Sequence, residues 1–186
     1  MSNFQYLGSA KKEFQYYKLL GEKTFSQLTN EQLFYQISSE SNSIATIVKH
    51  LCGNMLSRWT DFLTTDGEKE WRKRDSEFEN DMSTRQALLE KWEAGWSCLF
   101  KALDSITDAD LSKEIYIRNQ GHSIVEAINR QLSHYSYHIG QIVFIGKMLS
   151  DRNWQSLSIS KGASSDYNQD KFSKPKSKQH FTDEVV

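Results

Sequence analysis

The chain has 186 residues, of which 38% are hydrophobic and 25% charged, and its formal net charge is −1. That length suits a single domain with a sizeable core, and the near-neutral balance offers no basic stripe for nucleic acid. No apolar run approaches the roughly 20 residues that span a bilayer. Met1-Ser2-Asn3-Phe4-Gln5 lacks the basic start and apolar core of a secretory leader. With only Cys52 and Cys98 there is no disulfide framework, so the expectation is a cytoplasmic globular protein.

Four long helical patterns follow in chain order, and the only proline, Pro175, lies beyond all of them. The first runs from about Phe4 to Leu28, with Phe14, Tyr17, Phe25 and Leu28 at helical spacings. The second begins after Ser43, a suitable N-cap, and carries Ile44, Ile47, Val48, Leu51, Met55 and Trp59. The third opens on the capping-box sequence Ser83-Thr84-Arg85-Gln86 and continues through Leu88, Trp92, Leu99 and Ile106. The fourth opens on a second capping box, Ser123-Ile124-Val125-Glu126, and runs to about Ser150. These lengths predict an all-α fold, a four-helix bundle.

The connections differ. Thr29-Asn30-Glu31-Gln32-Leu33 and Thr107-Asp108-Ala109-Asp110-Leu111 each read as a capped short turn of helix leading to a serine N-cap, a weak internal repeat of two helical hairpins. In that alignment His50 and His134 fall on equivalent faces of the second and fourth helices. Residues 66–81, with 11 charged residues of 16, read as a long solvated crossover. Solvated salt bridges are the simplest account of Arg72 and Lys73 there. The domain is expected to occupy residues 1–168, followed by a disordered polar tail over 169–186.

The fourth helix carries Ser133-His134-Tyr135-Ser136-Tyr137-His138-Ile139-Gly140-Gln141. Residues i and i+4 stack on one face, so both imidazoles can grip one ion. On a helical wheel Ala127, Gln131, His134, His138, Gln141 and Ile145 share a stripe that the surrounding isoleucines turn inward. Polar groups there are costly to bury unless something satisfies them. The stripe through His50 on the second helix carries Ser43, Thr46, Asn54, Ser57 and Asp61, again polar. A pair spaced H-x3-H also arises without a metal, as two rings in water. A third histidine at the right depth of the facing helix strengthens the case for a three-histidine site with open coordination positions, without deciding it against the pair in water. His122 reads as a residue leading into the fourth helix and His180 as part of the tail. Cys52, roughly 200° around its helix from His50, reads as core, as do Cys98, Trp92 and Trp96.

His50-Leu51 on one helix and H-x3-H-x2-Q (His134, His138, Gln141) on another resemble the DinB-like, or YfiT-like, superfamily of bacterial four-helix-bundle metalloproteins. Residues 57–79 (SRWTDFLTTDGEKEWRKRDSEFE) and 154–162 (WQSLSISKG) resemble one branch of it, known as a domain of unknown function. The resemblance covers about residues 5–168, and that branch commonly carries proline where this chain has Glu70 and Ser160. It implies an up-down-down-up bundle, a metal triad of His50, His134 and His138 holding a divalent cation, zinc or nickel, and a homodimer. Some members of the superfamily transfer low-molecular-weight thiols to electrophiles, and no thiol-binding residues match here. The functional expectation is a divalent-metal-dependent enzyme acting on a small molecule, with thiol transfer and hydrolysis both open. Its catalytic candidates are Gln141 and Asn54, which would orient the reacting group, and Arg58, which would anchor a substrate carboxylate. The alternative is a non-catalytic, stress-related or metal-responsive dimeric binding protein.

Overall fold

The computed structural model describes residues 5–185; Phe4, expected to open the first helix, lies outside them. The described residues form six α-helices and one two-stranded antiparallel sheet. In chain order these are α1 (Tyr6–Phe25), α2 (Asn30–Phe34), α3 (Ile44–Trp59), α4 (Arg85–Asp104), β1 (Glu114–Ile117), β2 (Gln120–Ser123), α5 (Ile124–Ser150) and α6 (Ser164–Ser173). The fold is thus predominantly helical. No helix among the described residues is long and apolar enough to cross a membrane.

The helices begin where side chains can satisfy the first free backbone N–H groups. Thr29 and Ser123 form reciprocal capping boxes with Gln32 and Glu126, and the Ser43 hydroxyl accepts from the Thr46 amide. The third helix starts one residue later than expected: Thr84, not Ser83, is its N-cap and accepts from the Ala87 amide.

The core is drawn from the apolar faces of α1, α3, α4 and α5, with Phe14, Ile44, Leu88, Leu99, Ile128 and Ile142 all fully buried. α3 lies along α4, and α1 along α5. Gly95 sits against Cys52 and Met55, and the Cys98 thiol reaches the Met55 carbonyl, so α3 and α4 run in the same direction. Tyr6 meets Asn129, Phe14 meets Tyr135 and Thr24 meets Gly146, which makes α1 and α5 parallel as well. Edge-to-face aromatic contacts tie α1 to α4, including Phe25–Trp92 at 5.0 Å. Trp92 and Trp96 are core residues, as expected.

Three segments differ from the expectation. Residues 114–123 form a β-hairpin ahead of α5, with Ile115 and Ile117 buried and their neighbours exposed. Its two-residue turn, Arg118-Asn119, has φ of 54° and 59°, the left-handed pair that suits strand twist. His122 therefore lies in β2, two residues before α5.

The crossover after α3 is only partly solvated: Gly67 and Glu77 are buried, while Glu70, Trp71 and residues 73–75 and 78–81 are exposed. Gly67 donates to the Tyr116 carbonyl, Asp66 accepts from the Arg118 and Asn119 amides, and a 3₁₀ turn at Asp75–Phe78 lies back against α3. Its acidic and basic residues neutralise one another, so several can be buried in pairs.

The third difference is the tail. Beyond α6 the chain returns to α1, where His180 meets Ser9 at 3.1 Å, Asp183 meets Lys12, and Phe181 packs on Tyr16 with ring centroids 5.7 Å apart. One aromatic ring and a buried Thr182 supply the contact that composition hides.

Tyr135 links α5 to α3 across the core. Fully buried, its hydroxyl accepts from Trp59 Nε1 and donates to Asn54 Oδ1, both at 3.1 Å. Tyr135→Phe leaves two buried partners unsatisfied, so the unfolding free energy should fall by about 1–3 kcal/mol. Urea unfolding followed by circular dichroism measures this; an unchanged midpoint would show that the two groups find other partners.

Candidate metal centre

α3 and α5 carry inward-facing polar stripes because both helices place them beside apolar ones. On α3, Ser43, Thr46, His50, Asn54 and Ser57 are all buried. Asp61, placed on the same stripe by spacing, lies past the helix end, exposed and with φ of 47°. On α5, Ala127, Gln131 and Ile145 are buried, and His134, His138 and Gln141 are half-buried.

The stripes meet at three rings. His134 Nε2 lies 3.3 Å from His50 Nε2 and 3.1 Å from His138 Nε2, and the ligand nitrogens of all three lie within 4.8 Å of one another. Nitrogens bound to one tetrahedral cation at 2.0–2.1 Å stand about 3.3 Å apart, so the two short separations match the spacing that such an ion needs.

Hydrogen bonds on the far side of two rings fix which nitrogen carries the proton. His50 Nδ1 lies 2.9 Å from Glu77 Oε2, a carboxylate that can only accept, so His50 is protonated at Nδ1 and presents the Nε2 lone pair to the centre. His138 Nδ1 lies 3.1 Å from Gln141 Oε1, which orients that ring in the same way. Burial first, then the neighbouring rings and the Arg58 and Arg72 guanidiniums, push His134 down to about 3. Burial and His50 lower His138, against an opposing hydrogen bond from Gln141. These two imidazoles therefore stay neutral, the state in which they donate to a metal.

Glu77 is the residue beside the cluster that sequence reasoning missed. Arg72 grips it with two bonds, Nε to Oε1 at 2.7 Å and Nη2 to Oε2 at 2.9 Å. Burial raises its carboxyl, yet the bonds from His50 and Arg72 win and hold it below the usual carboxylate range. Gly53 makes room for it, since a Cβ there would collide with Glu77 Oε1. Phe78 stacks on the His50 ring with centroids 4.9 Å apart. Arg72, expected in solvent, has a side chain only 2% exposed, because Glu77 and Glu68 neutralise it; Lys73 is exposed.

The other expected site residues are close by. Asn54 borders the cavity beside the rings, with its Oδ1 taken up by Tyr135. Arg58 borders it too, donating to the Gly67 carbonyl and to Glu68 Oε2 at 3.1 Å. Gln141 reaches His138. Cys52, buried, and Cys98, half-buried, are free thiols that take no part in the cluster.

A model of the family described as protein of unknown function (DUF1572) matches residues 2–163. The chain belongs to that family. No curated protein and no solved structure matches it. The histidine cluster of this DUF1572 protein is compatible with a metal site.

Glu77 acts on the centre through His50. Glu77→Gln should weaken divalent-metal binding by about 10–100-fold, read by competition with a chromogenic chelator, while His138→Asn should act directly. Equal affinity in Glu77→Gln would remove its orienting role.

The His134 shift has a sign that can be checked. A folded value near 3 lies below the ordinary value of about 6.5, so the unfolded chain takes up a proton that the folded one refuses. This contribution is present above about pH 6.5 and is lost as pH falls toward 3. In the presence of a chelator, the melting temperature should fall less steeply between pH 7 and pH 4.5 in His134→Gln than in the parent; parallel slopes would contradict the shift.

Proposed function

We propose that this protein is a divalent-metal-dependent enzyme of DinB type, with His50, His134 and His138 holding zinc or nickel. The observation that carries the reading is the convergence of three imidazole nitrogens at metal-compatible spacing, with two rings oriented by Glu77 and Gln141. The parallel pairs α1/α5 and α3/α4 support an up-down-down-up four-helix bundle, which is the DinB arrangement. The two free thiols suit a reducing cytoplasm.

A cation bound there supplies Lewis acidity, lowering the pKa of a water or thiol at an open coordination position. The chain's own residues orient and enclose. Glu77 and Gln141 hold the tautomers, Phe78 shields one face of His50, and Asn54 borders the space where the reacting group would lie. The reaction is thiol transfer to an electrophile or hydrolysis.

A second reading, a non-catalytic metal-responsive binding protein that works as a homodimer, draws on the outer face of α5. Tyr137, Phe144 and Met148 are 64%, 68% and 45% exposed there, a stripe that a second copy would cover.

Elemental analysis of protein purified without a histidine tag comes first. Near-stoichiometric metal, lost in both His134→Ala and His138→Ala, is the expected result; a metal-free parent that takes up none would end both readings. Incubation of the loaded protein with cysteine, glutathione or bacillithiol and an alkylating electrophile then separates enzyme from binder. A rate above the metal-free control is expected, and its absence with hydrolysable esters as well would favour binding.

A further inference from the structure

The cavity beside the histidines, about 400 Å³, is bordered by five arginines, Arg58, Arg72, Arg74, Arg118 and Arg130, and by no aspartate or glutamate. The chain as a whole has a formal charge of −1, so this concentration is local and does not reflect a basic protein. Arg58 and Arg72 are committed to Glu68, Glu77 and the Gly67 carbonyl. Arg74 lies over the Phe78 ring at 5.1 Å with Asp75 4.0 Å away.

Arg118 and Arg130 differ from these. Among the described residues the Arg118 guanidinium reaches only Glu68, at 3.3 Å, a carboxylate it shares with Arg58 and Arg72. Arg130 has no carboxylate partner among the described residues and meets only His122 Nε2, at 3.5 Å. Both side chains are exposed, but their backbones are held in place. Arg130 stands four residues before His134 on the helix face that carries the cluster. Arg118 sits at the tip of a hairpin turn whose two amides are held by Asp66, each at 2.8 Å. Gln131, 2% exposed, lies in the same wall; its unpartnered Oε1 is an acceptor, so only its NH2 group could serve an anion.

Five guanidiniums that share only Glu68, Glu77 and Asp75 are incompletely neutralised and repel one another, and an anion relieves that repulsion while engaging their planar forks. The volume suits a small molecule. A compact, half-open concavity is also unlike the extended stripe that tracks a nucleic-acid backbone.

We propose that this cavity binds the anionic group, carboxylate or phosphate, of a small substrate, with Arg118 and Arg130 as its recognition residues. This rests on the metal-dependent reading for the word substrate, but the anion site itself does not need the metal.

Isothermal titration calorimetry of the metal-free protein with inorganic phosphate and, separately, succinate tests it and distinguishes the two chemistries. One of the anions should bind, more weakly at higher salt, and lose about tenfold or more in affinity in the Arg118→Gln/Arg130→Gln variant, as expected for removing two charge-assisted contacts. Arg118→Lys/Arg130→Lys should fall between them. Metal stoichiometry, measured on the same variants, should be unchanged. If neither anion binds the parent, or the double glutamine variant binds equally well, the proposal is overturned. An anion site in a protein that takes up no metal would leave this proposal standing and remove the metal reading, whereas metal without an anion site would do the reverse.

Discussion

The centre depends on the buried contact between His50 and Glu77. It fixes the proton on His50 Nδ1, turns the Nε2 lone pair inward, and ties the segment after α3 back to that helix. A buried carboxylate needs compensation, because burial alone favours its neutral form. Arg72 provides it with two parallel bonds, and Arg72 is in turn balanced by Glu68. The chain Glu68–Arg72–Glu77–His50 therefore works as one unit. A buried ion pair of this kind contributes little net stability but is expensive to break from one side. Its role here is orientation of a ring.

That unit explains why the site was only partly legible in the sequence. The H-x3-H pair, the polar stripe through His50 and the caps at Ser43 and Ser123 are one-dimensional features: helical spacing alone decides which residues share a face. They correctly brought α3 and α5 together. Glu77 and Arg72 have no such signature. They sit in a run of charges that composition assigns to solvent, and only the path of the backbone shows that each finds its opposite.

The hairpin escaped for a related reason. Its first strand is a four-residue alternation, Glu114-Ile115-Tyr116-Ile117, too short to stand out beside the helices that flank it. The turn pair Arg118-Asn119 was the available cue, since asparagine tolerates a left-handed backbone. The third helix's start moved by one residue because Ser83 and Thr84 are both competent caps, and it is the Thr84 hydroxyl that accepts from the Ala87 amide. The contact of Phe181 on Tyr16 had no cue in the tail's composition, because mean polarity says nothing about single contacts.

The arginines give the centre an electrostatic consequence that the histidines alone would not have. Arg58 and Arg72 contribute to keeping His134 neutral, which prepares it to donate a lone pair. The same positive field opposes any cation placed among the rings. Glu77 and Glu68 offset part of that field but are shared among Arg58, Arg72 and Arg118, and Arg130 adds a charge that no carboxylate cancels. An anion held by Arg118 and Arg130 would lower the field at the rings, and a cation at the rings would strengthen the pull on the anion. By linkage the two effects must be equal in free energy. Under the proposed reading, a cation at the rings and the anionic group of one small molecule would each improve the site of the other.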